Sequence, residues 1–177
     1  GDVFVYQNKK VLKNETLSKS VNRVNTTLKM LRDGLIDIDN VIDIDKFARY
    51  FALSSIFGAQ HGHLPSNFVT YFNPVTDLLE PIGYDSNVGR KIKKYGGLIT
   101  SSNNAYHEGI FSVKSILTYL FSSEKFNILY IDNLLKMTRD EYYENILSGI
   151  SDDLDKNLDI LYKEYPYLNY FKHNFIN

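Results

Sequence analysis

The residues of this chain best equipped for chemistry lie in one short span, "QHGHLPSNFVTYFNPVTDLLEPIGYDSN", from Gln60 to Asn87. It holds two histidines, His61 and His63, then Asn67 and an isolated Asp85. A histidine changes charge near neutral pH, so either imidazole could accept a proton. As an H-x-H pair they could instead give two ligands to zinc, with Asp85 or His107 as a third, although no H-E-x-x-H pattern accompanies them. The span is either a catalytic loop followed by a metal-binding turn or a polar loop capping a hairpin. In the second case Asn67 bonds the loop backbone and Asp85 closes the turn.

The elements around the span decide what it can position. Upstream, Leu17, Val21, Val24, Leu28 and Leu31 recur at spacings of four and three, the apolar face of an amphipathic helix with Gly34 as its C-cap. "DKFARYFALSSIFGAQ" from Asp45 is apolar nearly all round, which predicts a helix buried on most sides, capped by Asp43 or Asp45 and ended by Gly58. "NFVTYFN" and "LLEPIGY" read as two strands joined by the turn "PVTD", with Pro81 restricting the second to an edge or a short ladder. From Asp85 to Gly109, glycine, serine, asparagine and lysine dominate, which predicts a long irregular loop. Helices follow over Val113–Phe121 and Phe126–Met137. A longer one opens at "TRDE" with capping-box spacing between Thr138 and Glu141, continues through Ile146, Ile150, Leu154, Leu158 and Leu161, and stops at Pro166. "VFVY" (Val3 to Tyr6) is β-prone and reads as a strand remnant. "EYPYLNYFKHNF" reads as a terminal helix on the body, with His173 at the surface.

Composition narrows the function classes. At 177 residues with 44% hydrophobic content, the chain can bury a core and reads as one domain or lobe, residues 1–177. No apolar run approaches the length needed to span a bilayer, and a net charge of -1 gives no global attraction to nucleic acid. The absence of cysteine excludes disulfides, a thiol nucleophile and cysteine-ligated zinc. The start, "GDVFVYQNKK", has neither a signal-peptide core nor a methionine, which reads as a fragment or processed product. The acidic "DIDNVIDID" (Asp37 to Asp45) lacks the glycine and distal glutamate of an EF-hand loop and reads as a helix-capping segment.

The order is therefore buried helix, polar loop ending in asparagine, strand, turn, strand, aspartate, long loop, helices. Protein kinases arrange the catalytic half of their domain in this order, with the asparagine and aspartate holding the magnesium ions that bridge the nucleotide phosphates. The residues "DIDKFARYFALSSIFG" and "HGHLPSNFVTYFNPVTDLLEPIGYDSNVG" resemble the spore coat protein H (CotH) kinase family. That family's pattern has a buried helix after an acidic start, a loop ending "N-x-x-x-Y", an "NP-x-T-G-x-L-x-P-I" hairpin and a terminal aspartate. The resemblance runs from Asp43 to Gly89, is loose through the C-terminal helices and fades before residue 40.

The resemblance implies an α+β, mainly α fold, a protein-kinase-like C-lobe with a small β-hairpin after the catalytic loop. It divides the chain into a connecting strand and helix (1–44), a catalytic-loop and metal-site core (45–89), an activation-segment-like loop (90–111) and a helical part (112–177). It implies Mg2+ and ATP as cofactors, held through Asn67 and Asp85, and phosphoryl transfer to serine or threonine hydroxyls of a protein partner. Small numbers of hard oxygen ligands suit magnesium, which keeps waters and phosphate oxygens as its other ligands. His61 or His63 would replace the proton-accepting base, because the kinase position for that aspartate is Gly62. The family's second aspartate is Asn87 here. Arg90, Lys91, Lys93 and Lys94 would form a docking strip for phosphate or an acidic peptide. No glycine-rich loop or phosphate-pairing strand lysine precedes residue 40, so the nucleotide lobe is expected upstream and the isolated lobe is expected to be inactive. Two alternatives stand beside the kinase. One is a non-catalytic binding module on the same fold, at a bacterial cell surface or otherwise outside the cytoplasm. The other is a metal-dependent hydrolase built on His61 and His63.

Overall fold

In the computed structural model, residues 5–63, 67–86 and 116–167 are described. The chain divides into two compact units, Gly1–Met137 and Thr138–Asn177. Among the described residues it is mostly helical, with one two-stranded antiparallel sheet. None of the described helices is long and apolar enough to cross a membrane.

In the first unit a short helix α1 (Asn8–Lys13), which the sequence pattern does not announce, leads into α2 (Glu15–Arg32). The Asn14 side chain caps α2 by accepting a hydrogen bond from the Leu17 amide at 3.0 Å. At the other end the Leu35 amide reaches back to the Met30 carbonyl and the Gly34 amide to Leu31. That double bond needs a left-handed residue, and Gly34, at φ +71°, takes it without a Cβ penalty. Val24 and Leu31 carry the buried face that the spacing predicts. The strand expected over Val3–Tyr6 lies partly outside the described residues, and Val5 and Tyr6 are not strand.

The centre of this unit is α3 (Ile44–Ile56). Asp43 is the residue that caps it, accepting from the Lys46 amide at 3.1 Å. Ile44, Phe47, Ala48, Phe51 and Ala52 are buried, while Leu53 and Phe57 keep about two-fifths of their surface. The helix thus has one face open to solvent, where its composition predicts burial on most sides. Its buried face meets α4 (Ile116–Ser122) and α5 (Glu124–Met137) in an aromatic cluster. Phe51 packs edge-on to Phe126 and Phe121, and Phe126 stacks on Tyr130 at 5.8 Å. The Tyr130 hydroxyl sits 2.8 Å from Ser55 Oγ, so its polar tip is satisfied.

After α3 the chain turns at Gly58, φ +63°, in the same double-bonded C-terminal motif, with the Ala59 amide on the Ser54 carbonyl. One 3-10 turn follows over Gln60–His63. The hairpin is β1 (Val69–Asn73) and β2 (Leu78–Ile82), paired from Val69↔Ile82 to Asn73↔Leu78. Asn73 Oδ1 accepts from the Val75 amide, and Asp77 closes the turn at φ +59°. Asp77 also pairs with Arg23 of α2. On its other side β2 gains a short parallel bridge, Ile42↔Leu79, so Pro81 lies in a ladder held from both edges nearby. The loop predicted after Asp85 lies outside the described residues beyond Ser86.

The second unit is built on α6 (Asp140–Glu164). It begins later than the Thr138–Glu141 box would set it: Arg139 holds the cap position without a side-chain bond. Asp140 and Glu141 in the first turn complement the helix dipole instead. The helix ends before Pro166, where Tyr165 turns out of the helix. The terminal helix expected beyond it lies outside the described residues from residue 168 on.

Candidate functional site

The hairpin register explains how Asn67 and Asp85, 18 positions apart in sequence, come together. Val69 and Ile82 form the last pair of the ladder. Asn67 lies two residues before that pair and Asp85 three residues after it, so both stand at the open end of the hairpin. Asn67 Nδ2 donates to Asp85 Oδ2 at 3.1 Å and to the His61 carbonyl at 3.3 Å. The 3-10 turn brings His61 to the same place, with Nε2 3.2 Å from Asp85 Oδ2. Two donors therefore address one carboxylate oxygen. The His61 and Asp85 side chains are 45% and 49% exposed, so a solute can reach them. Asp85 itself is left-handed, at φ +47°, a conformation that aspartate tolerates and that is common at functional sites.

His63 goes the other way. A 3-10 turn has three residues per turn, so side chains two apart diverge by about 120° and need not share a face. His63 is fully buried, with its ring 5.4 Å from Tyr50 and 4.6 Å from Phe51. Neither ring nitrogen has a hydrogen-bond partner among the described residues. Burial lowers its pKa from 6.5 to about 4, so at neutral pH it is an uncharged core residue. The two histidines thus have separate environments, and His61 alone faces the solvent beside Asp85. Among the described residues no group of three metal-ligating side chains is assembled. The H-x-H reading is left without a ligand set there, and His107 lies outside the described residues.

Gly62, between them, is pressed from three sides. A Cβ at this position would stand 2.6 Å from Ser86 Oγ, 2.9 Å from the Tyr84 carbonyl and 3.1 Å from the Tyr50 hydroxyl. The backbone oxygen cannot swing away as a flexible side chain could, so any larger residue at 62 forces the two segments apart. Spacing alone marks Gly62 as a missing acid. The packing that excludes a side chain there is not visible in the sequence. Tyr50 is a second residue that sequence reasoning passed over, because its place in an aromatic helix reads as core. Burial raises its pKa, partly offset by hydrogen bonding with Ser86 and Ser54.

Further along the hairpin, from mid-strand Glu80 to Asn73 near the turn, a second polar cluster ties β2 to α3. Lys46 Nζ lies 2.8 Å from Glu80 Oε1 and 3.1 Å from Asp43 Oδ2, and Asn73 Nδ2 donates to Glu80 at 2.8 Å. The bond from Lys46, and then that from Asn73, lowers the Glu80 pKa, while Glu80 and Asp43 raise that of Lys46. The acidic segment is structural: Asp43 caps α3, and Asp39 pairs with Lys125 at 3.3 Å. Arg90, Lys91, Lys93, Lys94 and Asn87 lie outside the described residues, as does His173.

Comparison with protein-family models, with characterised proteins and with solved structures returns no match to this chain.

Proposed function

We propose that this chain is the catalytic lobe of a CotH-like atypical kinase, which in the full-length protein transfers the γ-phosphoryl group of ATP to protein serine or threonine hydroxyls. The observation that carries this reading is the meeting of Asn67 and Asp85 at 3.1 Å at the open end of the hairpin. Among the described residues, Asn67 Oδ1 and Asp85 Oδ1 have no hydrogen-bond partner. That leaves one hard oxygen donor on each of two neighbouring side chains, which suits magnesium, an ion that takes few protein ligands. Asn67 and Asp85 would hold it, and the bound ion would neutralise phosphate charge.

The chain's own part in the transfer is positioning and proton handling. With Nε2 turned to Asp85, the ring nitrogen of His61 left to accept is Nδ1. With ATP and a hydroxyl substrate bound, Nδ1 would take the hydroxyl proton as the hydroxyl oxygen bonds to the γ-phosphorus and ADP leaves. The Asp85 carboxylate then steadies the imidazolium, as a base-orienting carboxylate does in hydrolytic triads. His63, buried and uncharged, has no part in this step. Asp77 adds support from the turn, because its φ of +59° falls where the family pattern has glycine.

The test is Mg-ATP binding and autophosphorylation by the full-length protein, with and without Asp85→Ala. Binding and activity lost in the variant support the reading. No Mg-ATP binding by the parent protein, or unchanged autophosphorylation in the variant, overturns it. A second reading, a non-catalytic module on the same frame, is favoured by the packing at Gly62, which leaves no room for the acid kinases use there. An upstream sequence encoding adhesion or repeat domains, in place of a nucleotide lobe, would select it.

A further inference from the structure

The three atoms that crowd Gly62 belong to two elements that carry the candidate site. Ser86 and Tyr84 flank Asp85, and Tyr50 stands on the buried helix α3. Its ring is wedged against Phe51 and His63, at 5.3 and 5.4 Å, which fixes where its hydroxyl ends up. Ser86 Oγ in turn reaches the Tyr84 carbonyl at 3.5 Å. Asp85 is thus the middle residue of a tripeptide gripped on both sides, and it is the one in the left-handed conformation.

We propose that Tyr50, Gly62 and Ser86 act together as the brace that positions Asp85. Gly62 provides the gap into which the tripeptide settles. The Tyr50 hydroxyl, anchored from the core, meets Ser86 there and stops the tripeptide from lifting away. Asp85 is then held, left-handed, with its carboxylate toward Asn67 and His61. These are positioning residues: none of them touches the reacting atoms. The brace deepens the phosphoryl-transfer reading and rests on it for its purpose. Its structural claim can be tested without any metal or nucleotide.

The probe is the Asn67 side-chain amide, whose two protons report on the bonds to Asp85 and to the His61 carbonyl. In the metal-free 177-residue chain, Tyr50→Phe keeps the ring packing and removes only the hydroxyl, and Ser86→Ala removes its partner. Both variants are expected to keep the thermal midpoint close to that of the parent while moving the Asn67 amide resonances and speeding exchange of the backbone amides of Asp85 and Ser86. The double variant is expected to shift them no further than either single one, as for two groups acting through one contact. Unchanged Asn67 and Asp85 signals in both single variants, or strictly additive shifts, would overturn the brace. Gly62→Ala is a harsher version, and the hydroxyl variants decide the matter whether or not it folds. A Mg2+ titration forms the second arm, with affinity expected to fall about tenfold in Tyr50→Phe, as for removal of a group that orients a ligand. If the parent chain and the full-length protein bind no Mg2+, the kinase reading fails, and the metal-free signals still decide the brace.

Discussion

Two polar clusters share one hairpin, one at its open end and one running from mid-strand to the turn, and they are built differently. Around Lys46 the charges close on themselves: one cation faces two carboxylates, and Asn73 takes up a further bond to Glu80. Around Asp85 two donors converge on a single oxygen and, among the described residues, leave other oxygens unused. The first cluster rests on a helix cap and a ladder. The second rests on a buried histidine without hydrogen-bond partners among the described residues and on a glycine with no room for a side chain. A closed network ties elements together, whereas an open one on a left-handed aspartate is accessible to a ligand. The same two strands thus carry a fastening between mid-strand and turn and a candidate site at their open end.

Acid should separate the two clusters first. His63 has a folded-state pKa of about 4, below its ordinary 6.5, so the unfolded chain binds that proton more readily. Its contribution is complete above pH 6.5 and is lost as the pH falls to about 4, a total of about 3 kcal/mol from the size of the shift. Glu80, whose pKa is lowered, gives stability that is present above its ordinary 4.5 and lost only below it. Thermal midpoints measured from pH 7 to 4 should therefore fall first through His63, with amide exchange rising at residues 60–63 and 84–86 before residues 43–46 and 79–80. In His63→Phe the early loss should be absent. A simultaneous loosening of both clusters in the parent chain would contradict the distinction.

Gly62→Asp should cost about 2 kcal/mol through overpacking against the Tyr84 carbonyl, and it should not raise phosphoryl transfer, although it restores the acid that the kinase pattern has there. A stable, more active variant would show that the gap is not real. Glu80→Gln should lower the thermal midpoint and leave the Asn67 amide signals unchanged, because its partners are Lys46 and Asn73. The smallest effect is expected at Asp77→Gly. There relief of the left-handed backbone offsets the loss of the Arg23 pair, and urea midpoints should place the net change within about 1 kcal/mol.

Much of this layout can be read from residue spacing. The periodic leucines and valines of α2, its glycine stop, the capping aspartate of α3 and the turn between two apolar runs are local features, and local features leave local signatures. The approach of Asn67 to Asp85 follows from the hairpin they bracket. His63 is different. Whether it joins His61 or turns inward depends on the phase of the 3-10 turn, which Gly58 sets through its left-handed exit from α3. An H-x-H pattern carries no record of that phase. Tyr50 and Gly62 are equally silent, since one resembles any core aromatic and the other any loop glycine. The Ile42–Leu79 bridge joins segments 37 positions apart, and no pairing pattern in the sequence announces it.

The central claim is that Asn67 and Asp85 form a cation site and the Lys46 cluster does not. The direct measurement is paramagnetic broadening by Mn2+, a magnesium surrogate, in the 177-residue chain, compared with Asp85→Ala and Glu80→Gln. The account predicts saturable broadening centred on His61, Asn67 and Asp85, abolished in Asp85→Ala and retained in Glu80→Gln. Broadening that survives Asp85→Ala, or that centres on Glu80 and Asp43, would contradict it.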